Sequence, residues 1–432
     1  EDRCQWGIIR SISNAVLKNL LLESLPAGRK KVAARIRGKS GGAYHHVVYL
    51  DAMDIRAKKE DFVIKIPGHG TPDRWGPEEE YMLVREAETM RYLFNNTTIP
   101  VPEIIAYSGT LDNTVGFPYI IMTRLSGQSA ANIWFEQPFG RDIADEAADF
   151  PSLDVEKKRL NFLRSLAEEM TKLQDVQFSA IGMPSFKEDQ LNGNQCKSRV
   201  LSVDKIFVWP YTSDIHKVEE RPAFASTQDF VRAGLDDLPD IQEHEDMEDD
   251  KKLFHGIRKI LGIVSSHPVF QSRPDETFIL QHDDLDLQNI LTDTEGNVTG
   301  IIDWDASLAM PRCVASAAVP RFLRRDWFPG FYVRNLHMNL ALPRYREIYA
   351  AAMSDAGNSD AKYTTKSALY QAVLASIYEG GSIYDLSEKL VNLVMSGRPC
   401  KAMDFLIKLG DPKGWKSIEP ILQHKLNEIL EP

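Results

Sequence analysis

The stretch TFILQHDDLDLQNILTDTEGNVTGIIDWD, from Thr277 to Asp305, decides the fold that the sequence predicts. An apolar run ends at His282, a polar loop continues to Asn289, and two short apolar runs then flank the turn at residues 294–297. The asparagine and glycine in that turn supply the backbone conformations that tight hairpins require. The stretch therefore predicts a polar loop followed by a β-hairpin.

The hairpin brings two potential metal ligands together. Asn289 precedes the first hairpin strand and Asp303 follows the second. Because paired antiparallel strands lie about 5 Å apart, we expect the two side chains to lie side by side. An amide oxygen and a carboxylate at one point suit Mg²⁺, which prefers few protein oxygens plus phosphate and water. Asn289 and Asp303 are therefore the predicted metal ligands.

The polar loop carries a spacing that is typical of phosphoryl transfer. In protein kinases a His-Arg-Asp sequence is followed five residues later by Asn, and a further Asp lies beyond them. The first Asp is the catalytic base, and the Asn and the later Asp bind metal. The corresponding residues here are His282, Asp284, Asn289 and Asp303. Asp284 is therefore the predicted catalytic residue, whereas His282 is expected to brace the loop.

The sequences DLDLQNIL and GNVTGIIDWD resemble the aminoglycoside phosphotransferase family, and in particular its large fungal members. The resemblance implies an α+β, protein-kinase-like bilobal fold with a small antiparallel-sheet N-lobe and a mostly helical C-lobe. It also implies ATP and Mg²⁺ as cofactors, and transfer of the γ-phosphoryl group to a hydroxyl of a small molecule. Asp283 stands where the family often has Gly, and Asp286 is unusual. These carboxylates either repel the charge of Asp284 or only face water, and both alternatives stay open.

Two charged residues far from the hairpin lie inside apolar patterns. Lys65 is the basic residue in the apolar strand 61–66 and matches the phosphate-binding lysine of the third kinase strand. In the helix that begins at Pro77, Glu86 lies in an apolar stripe, and a buried carboxylate needs a partner. Glu88 lies on a face expected to be solvated. Glu86 is therefore predicted to pair with Lys65, and the resemblance implies that this pair orients the phosphates of ATP.

The remaining nucleotide contacts are expected at a glycine-rich turn and at a hinge. The turn lies between two predicted strands, where the backbone of Ser40, Gly41 and Gly42 could approach phosphate. A plain hairpin turn is the alternative, because the G-x-G-x-x-G spacing is missing. The resemblance implies that backbone groups of Thr123 and Leu125 meet adenine, with an ordinary strand end as the alternative.

The resemblance also implies two lobes. Residues 1–123 form the N-terminal nucleotide-binding lobe, which begins with one amphipathic helix as far as Ser24. The apolar stripe of that helix comprises Ile8, Ile9, Ile12, Val16 and Leu20. Residues 124–432 form a helical C-terminal lobe that carries the catalytic loop, the metal site and the substrate pocket. Its core helix is predicted at residues 155–174.

Composition limits the partners. The chain has 432 residues and a net charge of −11, which argues against nucleic acid and favours a cationic small substrate. No apolar run approaches the roughly 18 residues of a membrane span. Four widely spaced cysteines fit a reducing cytoplasm better than a disulfide scaffold. The expected partners are a nucleotide and a small hydroxyl compound, while the oligomeric state and the choice between ATP and GTP stay open.

Two other functions fit the same sequence. A non-catalytic nucleotide-binding pseudokinase module is one, if Asp283 and Asp286 disable the loop. A choline-kinase-like metabolite kinase is the other, because choline-like, sugar-like and amino-acid-like hydroxyls all remain possible acceptors. A protein kinase is disfavoured, because the chain lacks Asp-Phe-Gly and Ala-Pro-Glu sequences.

Overall fold

The protein is described by a computed structural model that covers residues 6–42, 44–135, 149–193, 200–208, 219–238, 248–327, 338, 340–379, 383–395 and 401–432. Packing divides the chain into two compact units. The first unit comprises Glu1–Phe139, Pro184–Arg199 and His282–Ser307, and the second comprises Gly140–Met183, Val200–Gln281 and Leu308–Pro432. Residues 282–305 of the stretch quoted above therefore group with the first unit, while residues 277–281 group with the second. The lobe boundary predicted after residue 123 stays a prediction.

The elements of the described residues follow in chain order. The strands are β1 (Ala33–Gly41), β2 (His45–Met53), β3 (Lys59–Pro67), β4 (Ile104–Ser108), β5 (Tyr119–Thr123), β6 (Gln128–Ser129), β7 (Gln177–Phe178), β8 (Met183–Ser185), β9 (Ser202–Asp204), β10 (Ile206–Val208), β11 (Glu219–Arg221), β12 (Phe278–Gln281), β13 (Ile290–Thr292), β14 (Val298–Ile301) and β15 (Leu308–Met310). The α-helices are α1 (Gly7–Arg10), α2 (Asn14–Ser24), α3 (Pro77–Asn96), α4 (Ala130–Phe135), α5 (Leu153–Thr171), α6 (Glu188–Leu191), α7 (Thr227–Asp236), α8 (Glu248–Ser265), α9 (Leu342–Asp355), α10 (Ser367–Glu379), α11 (Ile383–Val394), α12 (Ala402–Gly410) and α13 (Pro412–Leu430). Short 3₁₀ helices occupy Ala27–Arg29, Lys172–Asp175, Pro268–Phe270, Arg321–Leu323, Arg325–Trp327 and Ala361–Lys366.

The first unit is built on a five-stranded antiparallel sheet with the strand order β1-β2-β3-β5-β4. The apolar residues of α1 and α2 pack with one face of this sheet, including Val48, Leu50 and Ile64. Side chains alternate between the two faces of a strand. Val47 and Lys65, which lie opposite each other on β2 and β3, therefore point to the other face. The strand register therefore places the Lys65 side chain on the face opposite to the one that packs against α1 and α2.

The N-terminal segment differs from the single helix predicted up to Ser24. It forms two helices, α1 and α2, because the Ser13 side chain accepts a hydrogen bond from the Val16 N–H and caps the start of α2. Ile8 and Val16, which were assigned to the apolar stripe, are 61% and 38% exposed. The break rotates α2, so that Leu17, Leu20 and Leu21 supply its buried face.

The glycine-rich segment also differs from its prediction. Instead of a turn from residue 38 to 42, β1 continues to Gly41, and Gly38 to Gly41 pair with residues 46–49 of β2. A β-bulge between Ile36 and Gly38 shifts the register of the pairing between β1 and β2. Ser40 consequently lies in a strand, and Gly42 is the first of the three residues between β1 and β2.

Helix α3 begins at Pro77, as predicted, and the Glu79 carboxylate accepts a hydrogen bond from the Gly76 N–H at 2.9 Å. The face that carries Glu88 was expected to be solvated, and this was wrong. Tyr92 on that face is buried and stacks on Phe186, with ring centroids 4.6 Å apart. Residues after 183 return to cover this side of the helix, which local periodicity cannot show.

The second unit is mostly helical, and α5 is its predicted core helix, with bounds at Leu153 and Thr171 instead of 155 and 174. Strand β12 pairs with β15 and β7 in a small antiparallel sheet. The predicted α+β class, with a small antiparallel sheet in one unit and mainly helices in the other, is confirmed. No helix among the described residues is long and apolar enough to cross a membrane.

Candidate active site

A buried ion cluster joins the sheet, helix α3 and the hairpin within the first unit. The ammonium group of Lys65 donates to Glu86 Oε1 at 2.7 Å and to Asp303 Oδ1 at 2.5 Å. Lys65 is 8% exposed and Glu86 is 4% exposed. Three residues that the sequence singled out from separate segments are thus in direct contact. Glu88 instead forms an ion pair with Arg85 at 3.0 Å.

Burial and charge set the protonation of this cluster. Burial alone lowers the pKa of Lys65, but Asp303, Glu86 and Asp305 outweigh it and raise that pKa above its ordinary value. The Lys65 charge lowers the pKa of Asp303 to about 2. Burial raises the pKa of Glu86 to about 7 against the lowering effect of Lys65. Lys65 therefore stays protonated and Asp303 stays ionised at neutral pH.

Asp303 is held in an unusual backbone conformation directly after the predicted hairpin. Ile290 of β13 pairs with Ile301 of β14, and the Ile302 N–H donates to the Asn289 carbonyl at 2.9 Å. Asp303 then has a φ of 66°, in the left-handed region that L-residues rarely adopt outside Asn and Asp. The strand pairing thus places Asn289 one residue from Asp303 across the ladder, and the backbone turn aims the Asp303 carboxylate at Lys65.

The loop before the hairpin is closed by its own polar side chains. The Asn289 amide donates to both the backbone carbonyl and Oδ2 of Asp284, at 2.9 and 3.0 Å. The Gln288 amide donates to the same Oδ2 at 3.2 Å. Asp286 accepts a hydrogen bond from the Leu287 N–H, whereas Asp283 is exposed. The predicted catalytic residue and the predicted metal ligand Asn289 therefore lie together, and Asp286 helps to shape their loop.

His282 braces this loop. Its Nε2 lies 3.0 Å from the Ile302 carbonyl, and its ring packs against Trp304 with centroids 4.7 Å apart. Burial lowers the pKa of His282 despite the opposing influence of the Ile302 carbonyl and of Asp303. The ring is therefore neutral at pH 7, and its Nε2–H is the donor to the carbonyl.

Two polar residues of the cluster escaped sequence reasoning. His45 lies two residues before Val47 on the Lys65 face of β2, and burial together with Lys65 lowers its pKa, while Asp303 opposes that shift. Asp305 has its pKa raised by burial and lowered in part by Lys65. The alternation of β2 could have revealed His45, and the second acidic residue of the sequence IDWD could have revealed Asp305.

Of the other predicted nucleotide contacts, the glycine-rich segment adjoins the ion cluster through strand pairing and one backbone hydrogen bond. Ser40 pairs with Val47, which in turn pairs with Lys65, so the three residues lie in one row across β1, β2 and β3. The Gly42 N–H donates to the His45 carbonyl at 2.9 Å. Gly41 pairs with His46 at the end of β1. Ser40 therefore lies in the same row of the sheet as Lys65. The N–H of Gly42 already donates to a backbone carbonyl within the protein.

The predicted hinge is packed onto the hairpin. Thr123 ends β5, and its N–H donates to the Glu103 carbonyl at 3.0 Å. The Thr299 hydroxyl donates to the Ser126 carbonyl at 2.7 Å. A Cβ at Gly300 would lie 2.7 Å from the Leu125 side chain, so that glycine permits the hinge to approach β14 closely. The predicted adenine contacts at Thr123 and Leu125 stay predictions.

The donor set suits a cation that takes few protein ligands. Among the described residues no group of three or more His, Cys, Asp and Glu side chains could hold a metal ion. Asn289 and Asp303 offer an amide and an ionised carboxylate next to a ladder hydrogen bond. Such a pair fits Mg²⁺ bound mainly through phosphate and water, and it does not fit a metal that needs an all-protein cage.

A small sheet with a buried lysine–glutamate pair, together with a hairpin that ends in an ionised aspartate, defines a kinase-like protein. The sequence model of the phosphotransferase enzyme family, APH, matches residues 36–349, which is well over half of the chain. The chain belongs to this family, and the resemblance seen in the sequence is confirmed.

Individual relatives are distant. A subtelomeric hrmA-associated cluster protein of Aspergillus fumigatus is 24% identical over 66% of this chain, and the match spans 60% of that relative's length. A thermostable mutant of an aminoglycoside phosphotransferase, in a ternary complex with AMP-PNP and hygromycin B, is 14% identical with a TM-score of 0.41, covering 97% of this chain and 98% of the other. A macrolide 2'-phosphotransferase is 15% identical with a TM-score of 0.41, covering 86% and 95%.

Proposed function

We propose that this protein transfers the γ-phosphoryl group of ATP to a hydroxyl of a small molecule. The observation that carries the proposal is the contact of Lys65 with both Glu86 and Asp303. A lysine fixed by two carboxylates, one of which directly follows the hairpin proposed to bind metal, suits the positioning of phosphates. Family membership supports the same reaction class.

Each residue has a role in this reaction. Asp284, whose Oδ2 is held by Asn289 and Gln288, would orient the acceptor hydroxyl or take its proton. Asn289 and Asp303 would hold Mg²⁺, which would neutralise charge on the phosphates. Most of the rate enhancement would come from placement and charge stabilisation, because phosphoryl transfer requires little covalent participation by the protein.

The acceptor is proposed only as a class. A net charge of −11 would attract a cationic hydroxyl compound, such as a choline-like or aminated sugar-like molecule. Cysteine usage and composition make the cytoplasm the compartment that we propose. The nucleotide contacts at Ser40, Gly41 and Gly42 and at the hinge belong to the same proposal.

The test compares Asp303→Asn with Asp112→Asn. ADP formation would be measured with ATP, Mg²⁺ and a panel of choline-like, sugar-like and amino-acid-like hydroxyl compounds. We expect turnover with at least one acceptor, its loss in Asp303→Asn, and normal turnover in Asp112→Asn, because Asp112 is exposed and distant from the cluster in sequence. Undiminished Mg²⁺-dependent turnover in Asp303→Asn would contradict the assigned role.

Thermal melting separates the catalytic proposal from its rival. A rise of the melting midpoint with ATP and Mg²⁺, but no turnover with any acceptor, would favour a non-catalytic nucleotide-binding module. If the midpoint does not respond to nucleotide at millimolar concentration, neither function holds. A choline-kinase-like specificity would appear as turnover restricted to the choline-like members of the panel.

A further inference from the structure

The second unit contains a pocket of about 200 Å³ that the proposed reaction does not use. It lies between the start of α7, the segment before β12, and the residues after β15. Arg273 and Arg312 line it together with Thr277, Tyr363 and Cys313. Its wall carries two guanidinium groups together with the carboxylates of Asp275 and Glu276.

The two arginines are fixed without using all of their donors. Arg312 Nε and Nη2 donate to the Thr277 hydroxyl at 3.3 and 2.9 Å, and its Nη1 donates to Asp360 Oδ2 at 2.7 Å. Arg273 Nη1 donates to the Tyr363 hydroxyl at 3.1 Å. A guanidinium has five N–H donors, so each arginine retains donors beyond these contacts. Arg273 is thus oriented by the Tyr363 hydroxyl, and Arg312 is oriented by the Thr277 hydroxyl and by Asp360 behind the pocket lining.

The acidic groups of the pocket are mostly committed elsewhere. The Glu276 carboxylate accepts from the N–H and from the hydroxyl of Thr227, the first residue of α7. A carboxylate at a helix N-terminus is stabilised by the helix dipole and by unpaired N–H groups. Asp360 is paired with Arg312, and Asp275 is exposed. The positive charge of Arg273 therefore has no carboxylate within ion-pair distance among the described residues.

Cys313 forms an apolar part of the wall. Its thiol is buried, and burial raises the pKa of Cys313 to about 12. A thiol that remains protonated at neutral pH is a poor nucleophile and a poor metal ligand. The wall around it therefore offers packing surface for an organic group, while the arginines offer charge.

We propose that this pocket binds a small oxyanion, either a phosphate or a carboxylate, through Arg273 and Arg312. Guanidinium groups bind both anions through paired N–H donors, which fixes orientation as well as charge. The Tyr363 and Thr277 hydroxyls hold the arginines in position. The site belongs to the second unit alone and does not depend on the identity of the reaction.

Calorimetric titration of the full chain with inorganic phosphate and with succinate tests this site. We expect binding of at least one probe and a loss of roughly tenfold or more in affinity in Arg273→Gln, since this change removes a positive charge and charge-assisted hydrogen bonds to the anion. Arg273→Lys, which keeps the charge and loses the planar fork, should retain part of the affinity. Arg232→Gln, at an exposed position of α7, serves as the matched control and should bind normally.

The two probes distinguish the sources of the anion. Tighter binding of phosphate identifies a phosphate or phosphorylated ligand, and tighter binding of succinate identifies a carboxylate. Equal affinity in wild type and Arg273→Gln would overturn the proposal, because phosphate would then bind elsewhere, for example beside Lys65. Absence of binding by both probes would overturn it as well. Arg273 is exposed, so its replacement should not prevent folding.

Discussion

The hairpin stretch, residues 282–305, and the glycine-rich end of β1 are both proposed to meet the same nucleotide, yet they are held differently. At the hairpin, Lys65 donates to Asp303 and Asn289 donates to Asp284, while His282 donates to the backbone carbonyl of Ile302. At the end of β1, strand pairing and the single N–H bond of Gly42 supply most of the order. The comparison indicates that hydrogen bonds hold the carboxylates of the hairpin in place before any ligand binds. The end of β1 instead depends on side chains that pack against it.

The side chain that packs against the end of β1 is Trp6 of the N-terminal segment. A Cβ built on Gly68 would lie 2.1 Å from the indole of Trp6, and one built on Gly41 would lie 3.9 Å from the same side chain. Trp6 is fully buried, and the Arg10 guanidinium lies 5.6 Å from the centroid of its ring. The indole thus supports both the end of β1 and the residues after β3.

The largest effect is expected in the hairpin. Replacing Asp284 by Asn removes the proposed base but keeps a side chain that can contact Asn289, so kcat should fall by roughly 10²–10⁴. Stabilisation by ATP and Mg²⁺ should persist, which melting curves with nucleotide would show. Asp283→Asn is the control, because that side chain is exposed, and its kcat should stay within about threefold. A comparable loss in both variants would show that the loop acts as one acidic unit.

The second effect concerns the buried glutamate that connects α3 to the hairpin. Because burial raises the pKa of Glu86 to about 7, the folded protein binds a proton there more readily than the unfolded chain does. This contribution to stability is present below pH 4.5 and is lost as pH rises through 7. Glu86→Gln should therefore reduce the dependence of the melting midpoint on pH between pH 4.5 and 7, as scanning fluorimetry would show. Glu80→Gln, at an exposed position of the same helix, should leave that slope unchanged, and an unaltered slope in Glu86→Gln would contradict the assignment.

The hairpin could be predicted from the sequence because its residues are close together in the chain. Features that depend on packing between distant segments could not be predicted. Asn289 and Asp303 flank a single hairpin, so strand pairing brings them close together, and Asp284 lies in the loop directly before that hairpin. Glu86 was identified because a carboxylate in an apolar stripe needs a partner. The burial of Tyr92 depends on residue 186, nearly a hundred positions away, and no local pattern carries that information.

In the N-terminal region, too, the sequence pattern did not predict the elements correctly. The apolar residues before Ser24 fit one helical stripe, but the Ser13 cap breaks it and shifts the buried face. The glycines near residue 40 suggested a turn, although strand pairing with β2 extends β1 through Gly41. The alternation of β2 places His45 on the same face as Val47, but its neighbours Lys65 and Asp303 come from other segments, and it was missed. Of the four cysteines, Cys313 is described and the other three lie outside the described residues.

An intermediate effect should follow from disturbing the support beneath the β1 end. Gly68→Ala forces the Trp6 indole to move, and overpacking of this kind costs about 1–3 kcal/mol. Chemical denaturation should show that loss, and the KM for ATP should rise more than kcat falls. Gly262→Ala is the matched control, since a Cβ there meets nothing within 4 Å in helix α8, and it should stabilise by about 0.5–1 kcal/mol. A neutral Gly68→Ala would show that Trp6 does not support this region.

The smallest effect is expected from the side chain of Ser40. Its hydroxyl lies 3.2 Å from the Tyr49 hydroxyl at an exposed position, so Ser40→Ala should change the free energy of unfolding by no more than about 0.5 kcal/mol. If the backbone and not the hydroxyl approaches phosphate, the KM for ATP should change by less than about threefold, as steady-state kinetics would show. Tyr49→Phe, which removes the other hydroxyl of the pair, should match it. A tenfold rise in KM for Ser40→Ala alone would place its hydroxyl on the phosphates, and the β1 end would then bind nucleotide through a fixed side chain, as the hairpin does.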